Sequence, residues 1–583
     1  MVGRIADFTL FMRLYFFHEV NLSHALSSNN LSGGGTLVSG HPRPRAKRRN
    51  DLCRCERRGR HYQQSCRYGK SIRSQAWGDH DNDGWPDLYV TDHAGPNTLY
   101  HNNGDGTFSV SALSESVALA GSYSGGATFV DYDNDGWRDL YVVNWGANVL
   151  YRNVDGTAFV DVTTDAGVGN NGNGKSASWG DYDQDGYVDL YVANWNCYPK
   201  CGRPSIGDID RLYHNNGDGT FTNATNLLSG KTAGSGFIAS FTDYDNDGDL
   251  DIYLVNDEFI NPVGNGLWRN DGPGCDGWCF TEVSTAAGAD TKVMGMGLAM
   301  GDYDNDGDQD FFFSNAGPMT LLQNQTDGTF VNVAAAAGVD AAKSIGWGAI
   351  FFDYDNDGWQ DLYLAVSDSA KEESSGTVNP LNPLFHNNHD GTFANVSVQS
   401  GAAESGSTLG VAYADYDRDG RLDLLVGNID TGYKLYRNQD QGAATNHWFA
   451  LNLVGGGPVN RDAIGSRVYV TTADGLTRMQ EVIAGSSLGA GNELTLHFGL
   501  GDQTLVTQAS VIWPNGLHQT FTDLAVDRRV SLAYPVDDAA NTAQRDALYA
   551  VANTTDVPAM AARQLSTIDL PRWLPFLSRF LLP

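Results

Sequence analysis

Seven nine-residue segments of this chain place aspartates at positions 1, 3, 5 and 9 around a glycine at position 6. They are Asp79, Asp81, Asp83 and Asp87; Asp131, Asp133, Asp135 and Asp139; Asp181, Asp183, Asp185 and Asp189; Asp243, Asp245, Asp247 and Asp251; Asp302, Asp304, Asp306 and Asp310; Asp353, Asp355, Asp357 and Asp361; and Asp415, Asp417, Asp419 and Asp423. Carboxylates at alternate positions of a curling chain turn inward on one cation, glycine permits the bend, position 7 offers a backbone carbonyl and position 9 closes the shell. Hard oxygen donors in that number suit Ca²⁺ at roughly 2.3–2.6 Å better than Mg²⁺, which keeps a smaller octahedral shell and its waters. Calcium, about seven ions, is the expected cofactor. An EF-hand is excluded, because position 12 carries Val90, Val142, Val192, Leu254, Phe313, Leu364 or Val426 in place of a bidentate Glu. A lone loop of this kind reads as a solvated Asp/Gly turn. Twenty-eight aspartates in one spacing do not, and their mutual repulsion calls for a cation.

The elements that must hold these loops are short strands. Each loop follows an apolar stretch such as Ala127–Val130 and precedes a run such as LYVV at 140–143, the pattern of two buried strands joined by a hairpin. A second hairpin signal follows in LYHNNGDGTF (99–108 and 212–221) and its variants, where Asn-Gly and Asp-Gly supply the positive φ of tight turns. Loop starts are 52, 50, 62, 59, 51 and 62 residues apart. Four strands per unit, seven times, predicts an all-β fold, a seven-bladed β-propeller. The seventh unit has LYRN at 435–438 but no D-G-T-F strand, so its fourth strand must come from the N-terminal segment or from WFALNLV at 448–454.

On these residues the units resemble the FG-GAP/VCBS repeats of the integrin α-subunit type, over about residues 71–440. That resemblance implies a calcium-carrying seven-bladed propeller. From Asn446 a different pattern begins. Asn460-Arg461, Ile464-Gly465, Arg467-Val468, Phe498-Gly499-Leu500-Gly501 and Trp513-Pro514-Asn515-Gly516 resemble the ASPIC/UnbV domain. The tandem is similar to the cartilage acidic protein family and its bacterial relatives, which implies an extracellular calcium-binding or adhesive protein and supplies no catalytic residues. The expected organisation is a basic, poorly ordered segment (1–74), the propeller (75–440), a small sandwich-like β domain (441–535) and a tail (536–583).

Charge agrees with this division. The net charge is −32, yet residues 1–75 hold 14 Lys/Arg against 4 Asp/Glu, leaving 24 against 66 in the other 508. A nucleic-acid binder working through a basic face is excluded. No apolar run is long enough to span a membrane. The stretch 8–17 is interrupted by Arg13 and makes a poor secretory signal. Cys197/Cys201 and Cys275/Cys279, two C-x3-C pairs, suit local disulfides of an exported protein, with free thiols as the alternative. GSSLG at 485–489 fits a nucleophile elbow, but a turn into a strand follows it where the elbow needs a helix, so Ser487 is not read as catalytic. Loops between second and third strands are longest in units 3, 4 and 6, on the propeller face opposite the metals. That face, with Trp145, Trp195, Tyr198 and Phe259 as exposed aromatics, is the expected site for an extracellular protein or glycan partner. The alternative is a polysaccharide lyase or hydrolase that uses the propeller as its scaffold.

Overall fold

The computed structural model describes strands Arg54–Arg58 and His61–Ser65 and residues 72–536, except 93–94, 197–206, 259–261, 276, 342–343, 368–380, 405, 430–431 and 440–445. Six antiparallel blades of four strands follow one another in the order of the sequence repeats, the second and third joined into one eight-stranded sheet where Asn171–Asn173 pair with Trp145–Ala147. In blade 1 the strands, A to D from the axis outward, are Ile72–Gly78, Asp87–Asp92, Thr98–Asn102 and Phe108–Val110. Strand B is buried along its whole length in every blade but the second, where only its extended end is exposed. This is why the B runs read LYVV, LYVA and FFFS without alternation: neighbouring blades cover both faces of each sheet. The core accordingly lies between blades. One cluster joins Phe312 and Leu321 of blade 5 to Leu362 and Phe385 of blade 6, and another joins Trp77 and Leu88 of blade 1 to Leu425 and Leu435 of blade 7, closing the ring.

The seventh blade resolves the missing strand. Thr408–Ala414, Asp423–Asn428 and Gly432–Tyr436 are continued by His61–Ser65 and then Arg54–Arg58, with Gln63 opposite Tyr436. The basic segment expected to be poorly ordered therefore contributes two strands of this sheet. WFALNLV is not the closing strand, because it belongs to the C-terminal module.

That module has two sheets. His447–Val454 lies between Leu496–Gly501, antiparallel to it, and Arg528–Ala533, parallel to it. Thr477–Glu481, Arg467–Thr472, Leu505–Ile512 and His518–Ala525 form the second sheet. Phe449, Val468, Val470, Phe498, Val511 and Trp513 pack between them, and the same apolar cluster runs on through Val482 and Ala484 to Trp179 of blade 3.

The connection from Val482 to Leu494 enters the propeller axis. Trp179 N donates to Ala484 O at 3.0 Å, and Ser240 Oγ to Gly485 O at 3.2 Å. Leu298 and Ser487 exchange two backbone hydrogen bonds of 2.9 and 2.8 Å. Ala127 N donates to Gly489 O, and Gly491 exchanges bonds with Gln75 and Trp77. Gly348 of blade 6 faces Ser487 Oγ, and Tyr413 N of blade 7 donates to Asn492 Oδ1. All seven inner strands thus meet this plug. Leu488 reaches an apolar floor of Trp195, Phe237, Met296, Trp347 and Leu409. A Cβ at Gly489 would collide with Lys175 O, which explains the glycine-rich composition.

Candidate metal centre

Each loop curls around its own first aspartate. The amide of position 5 donates to one oxygen of that carboxylate at 3.0–3.1 Å, and the amide of the position-6 glycine to the other at 2.7–3.1 Å. Position 4 stands in the left-handed region in all seven loops, with φ from 54° to 63°, and the glycine at position 6 has φ from 83° to 98°. Asn is the commonest residue at position 4 because it tolerates that conformation best among residues with side chains.

Position 9, fully buried in every blade, is the hinge between loop and sheet. Its Oδ1 accepts the amide of an asparagine in or just beyond strand C at 2.7–2.8 Å. In six blades its Oδ2 takes the amide of position 2. The same asparagine donates its side-chain amide to the position-2 carbonyl of the preceding blade. Asn102 reaches Tyr416, Asn153 His80, Asn215 Tyr132, Asn270 Tyr182, Asn324 Tyr244, Asn387 Tyr303 and Asn438 Tyr354, at 2.6–2.9 Å. In the other direction Asn82, Asn134, Gln184, Asn305 and Asn356 at position 4 donate to the carbonyl of the position-6 glycine in the following blade. The seven loops therefore form a chained ring. Both sets of amides escaped the sequence-based expectations: the Asn that closes LYHN, LYRN and their variants follows the last aspartate of its loop by 14 to 26 residues, a spacing that varies with the length of the connection between strands B and C.

Position 3 is where a cation fits. Its outer oxygen meets a side chain from strand C: His101 to Asp81 and His214 to Asp183 at 3.2 Å, His386 to Asp355 at 3.5 Å, Gln323 to Asp304 at 2.6 Å, and Arg437 to Asp417. The inner Oδ1 of Asp183, Asp245, Asp304 and Asp417 is buried with no hydrogen-bond partner. A buried carboxylate oxygen left bare is costly. The same repeated atom bare in four loops, beside carboxylates of positions 1 and 5, fits a hard divalent cation. Triplets such as Asp183, Asp185 and His214 bring possible ligand atoms within 4.8 Å of one another.

Electrostatics point the same way. Burial, then neighbouring carboxylates, raises the first aspartates: Asp79 to about 6 through Asp87, and Asp131 to about 8 through Asp462. Burial also pushes Asp189 and Asp361 to about 7 against the lowering hydrogen bonds of His214 and His386, and drives Asp251, Asp310 and Asp423 well above the usual carboxylate range.

The expected partner face fares differently. Trp145 is half-buried at the end of strand B of blade 2, its ring 6.0 Å from that of Tyr123. Trp195 is not exposed: it is 4% accessible, donates its indole N–H to Asp257 at 2.8 Å and packs on Phe237, because it floors the channel. Tyr198 and Phe259 lie outside the described residues, as do Cys197 and Cys201. Cys275 and Cys279 form a disulfide. Ser487 sits inside the channel with its Oγ bare, which leaves it without a general base.

The FG-GAP-like repeat family matches residues 79–142, 131–192, 203–254, 302–364 and 353–426, and the "ASPIC and UnbV" family matches residues 456–539. The chain is thus an FG-GAP-repeat propeller protein carrying an ASPIC/UnbV domain. Among curated proteins it is similar to cartilage acidic protein 1. It is 24% identical over 313 residues to that of Xenopus tropicalis (44% of this chain, 48% of that protein) and 25% identical over 351 residues to that of Homo sapiens (50% and 52%). The chain spans about half the length of the curated relatives it matches. Solved structures similar to it include YCF48 from Cyanidioschyzon merolae, at TM-score 0.39 and 12% identity over 65% of this chain and 99% of that one. Sqt1 of Saccharomyces cerevisiae has TM-score 0.39 and 11% identity over 64% and 98%. At such scores the fold rests on the sheet topology described above. No helix among the described residues is long and apolar enough to cross a membrane.

Proposed function

We propose that this protein is an extracellular, calcium-dependent recognition protein, in which seven Ca²⁺ ions brace the propeller and a protein or glycan partner binds the propeller face away from the loops. The observation that carries the calcium reading is the repeated bare oxygen of position 3. Recognition on the opposite face is supported by geometry, since the C-terminal module stands over the loop face and its plug fills the axis. The name of the similar relatives supports an adhesive, extracellular role and an origin outside enzyme chemistry. The channel, where a propeller enzyme would place its acid and base, is taken up by residues 484–491.

Calcium titration by calorimetry, with melting temperatures in calcium and in chelator, tests the metal. Sites of extracellular type bind with Kd of about 10⁻⁴–10⁻³ M, and each adds about 2.7 kcal/mol of stability at a hundredfold excess over Kd. A melting temperature indifferent to chelator overturns the reading. An array of glycans and matrix proteins, probed in calcium and in chelator, tests recognition, with calcium-dependent capture expected.

A further inference from the structure

The C-terminal module contacts four of the aspartate loops through groups that the curled conformation presents to it. In the second loop Asp131 N donates to Asp462 Oδ2 at 2.7 Å, Arg138 Nε to Asp462 Oδ1 at 2.8 Å, and Arg461 N to Asn134 Oδ1 at 2.7 Å. In the fourth, Arg467 Nη1 lies 3.4 Å from Asp243 Oδ2. In the sixth, Gly501 N donates to Asn356 O at 2.8 Å, His497 Nε2 is 2.9 Å from Asn356 Oδ1, and Gly499 lies so close to Asp353 that a Cβ would collide with its carboxylate. In the seventh, Asp415 N donates to Glu493 Oε2 at 3.2 Å. Asn134 and Asn356 make their contacts from the left-handed position 4, and Asp131 and Asp415 are the carboxylates around which their loops wind.

The module does not replace the cation's charge. Toward these loops it brings Asp462, Glu481 and Glu493 against Arg461, Arg467, Arg478 and Arg529, a surplus of one positive charge facing four loops of four carboxylates each. It reads the shape of the loops. The plug is spliced between its anchors, since Thr477–Glu481 leads into it and Leu496–Gly501 leads out.

We infer that metal occupancy of loops two, four, six and seven and insertion of residues 484–491 into the channel are one linked equilibrium: divalent cation seats the plug, and its loss releases it. This rests on the calcium reading above. Because linkage is reciprocal, a seated module also raises the loops' affinity for cation.

The test is hydrogen exchange on the full chain in calcium and in chelator, with calcium calorimetry on the same sample. The Ser487 and Gly491 amides, which donate to Leu298 O and Gln75 O inside the channel, are expected to exchange at least about tenfold faster in chelator, while strand-B amides such as those of Tyr191 and Tyr253 change less. Equal acceleration of plug and strand-B amides, or none, overturns the coupling even where calorimetry shows calcium bound, so the metal reading then stands. Absence of calcium binding overturns both. Asp462→Ala, on the module rim, and Gly499→Ala are expected to weaken calcium affinity about fivefold or more, within the usual range of coupling between sites. Unchanged affinity in Asp462→Ala overturns the inference whether or not Gly499→Ala folds.

Discussion

At the residue scale, each loop carries four carboxylates crowded together, and burial raises the pKa of several of them, which sets a pH dependence. Asp79, Asp131, Asp189 and Asp361 hold protons in the folded protein up to about 6, 8, 7 and 7, against 3.8 for the ordinary side chain in water. A raised acid makes the folded state richer in protons than the unfolded one, so stability falls as pH rises from the unfolded value through the folded values. In chelator the melting temperature should therefore drop between pH 5 and pH 8. Saturating calcium should flatten that drop, because the cation takes over the charge that the proton was compensating. A chelated protein whose melting temperature rises over this interval would contradict the assignment of these groups. The aspartate spacing was legible in the sequence because all four carboxylates of a loop lie within nine consecutive residues. The imidazoles of His101 and His214 at position 3 were not, since they arrive from strand C, 20 residues after Asp81 and 31 after Asp183.

At the element scale, blades are held to one another by side-chain amides as well as by apolar faces. Asn215→Ala removes donors from the Tyr132 and Val188 carbonyls, both in a buried setting, and should cost about 1–3 kcal/mol in denaturant unfolding. Asn103→Ala, on the exposed turn of blade 1, should stay within about 0.5 kcal/mol. The hairpin Arg54–Arg58 and His61–Ser65 makes a second element-scale prediction. Deleting residues 54–65 should lower the melting temperature and open strand Gly432–Tyr436 to hydrogen exchange, because its outer edge loses the Gln63–Tyr436 pairing. Blade periodicity was readable because apolar runs and Asn-Gly turns are local. Which distant strand completes blade 7 depends on ring closure, and the sequence left two candidates standing.

At the scale of the whole molecule, propeller and C-terminal module are one folded unit. The plug supplies partners to inner-edge groups of Gln75, Trp77, Ala127, Trp179 and Leu298. A chain ending after residue 439 leaves those groups and the apolar floor around Trp195 and Trp347 without cover. It should be less stable than the full chain and prone to self-association, as measured by sedimentation and by dye binding to exposed apolar surface. A monomeric fragment that melts at the full chain's temperature would show that the plug adds nothing.

The sequence by itself determined the number of blades and the position of every aspartate in the seven loops, because each is written in residues close together. The tertiary structure alone decided that the ASPIC/UnbV signature residues Arg467 and Gly499 are contacts to the loops of blades 4 and 6, that Trp195 is a floor and not a surface anchor, and that GSSLG is a plug. These are relations between segments far apart in the chain, and only closing the ring around its axis brings them together.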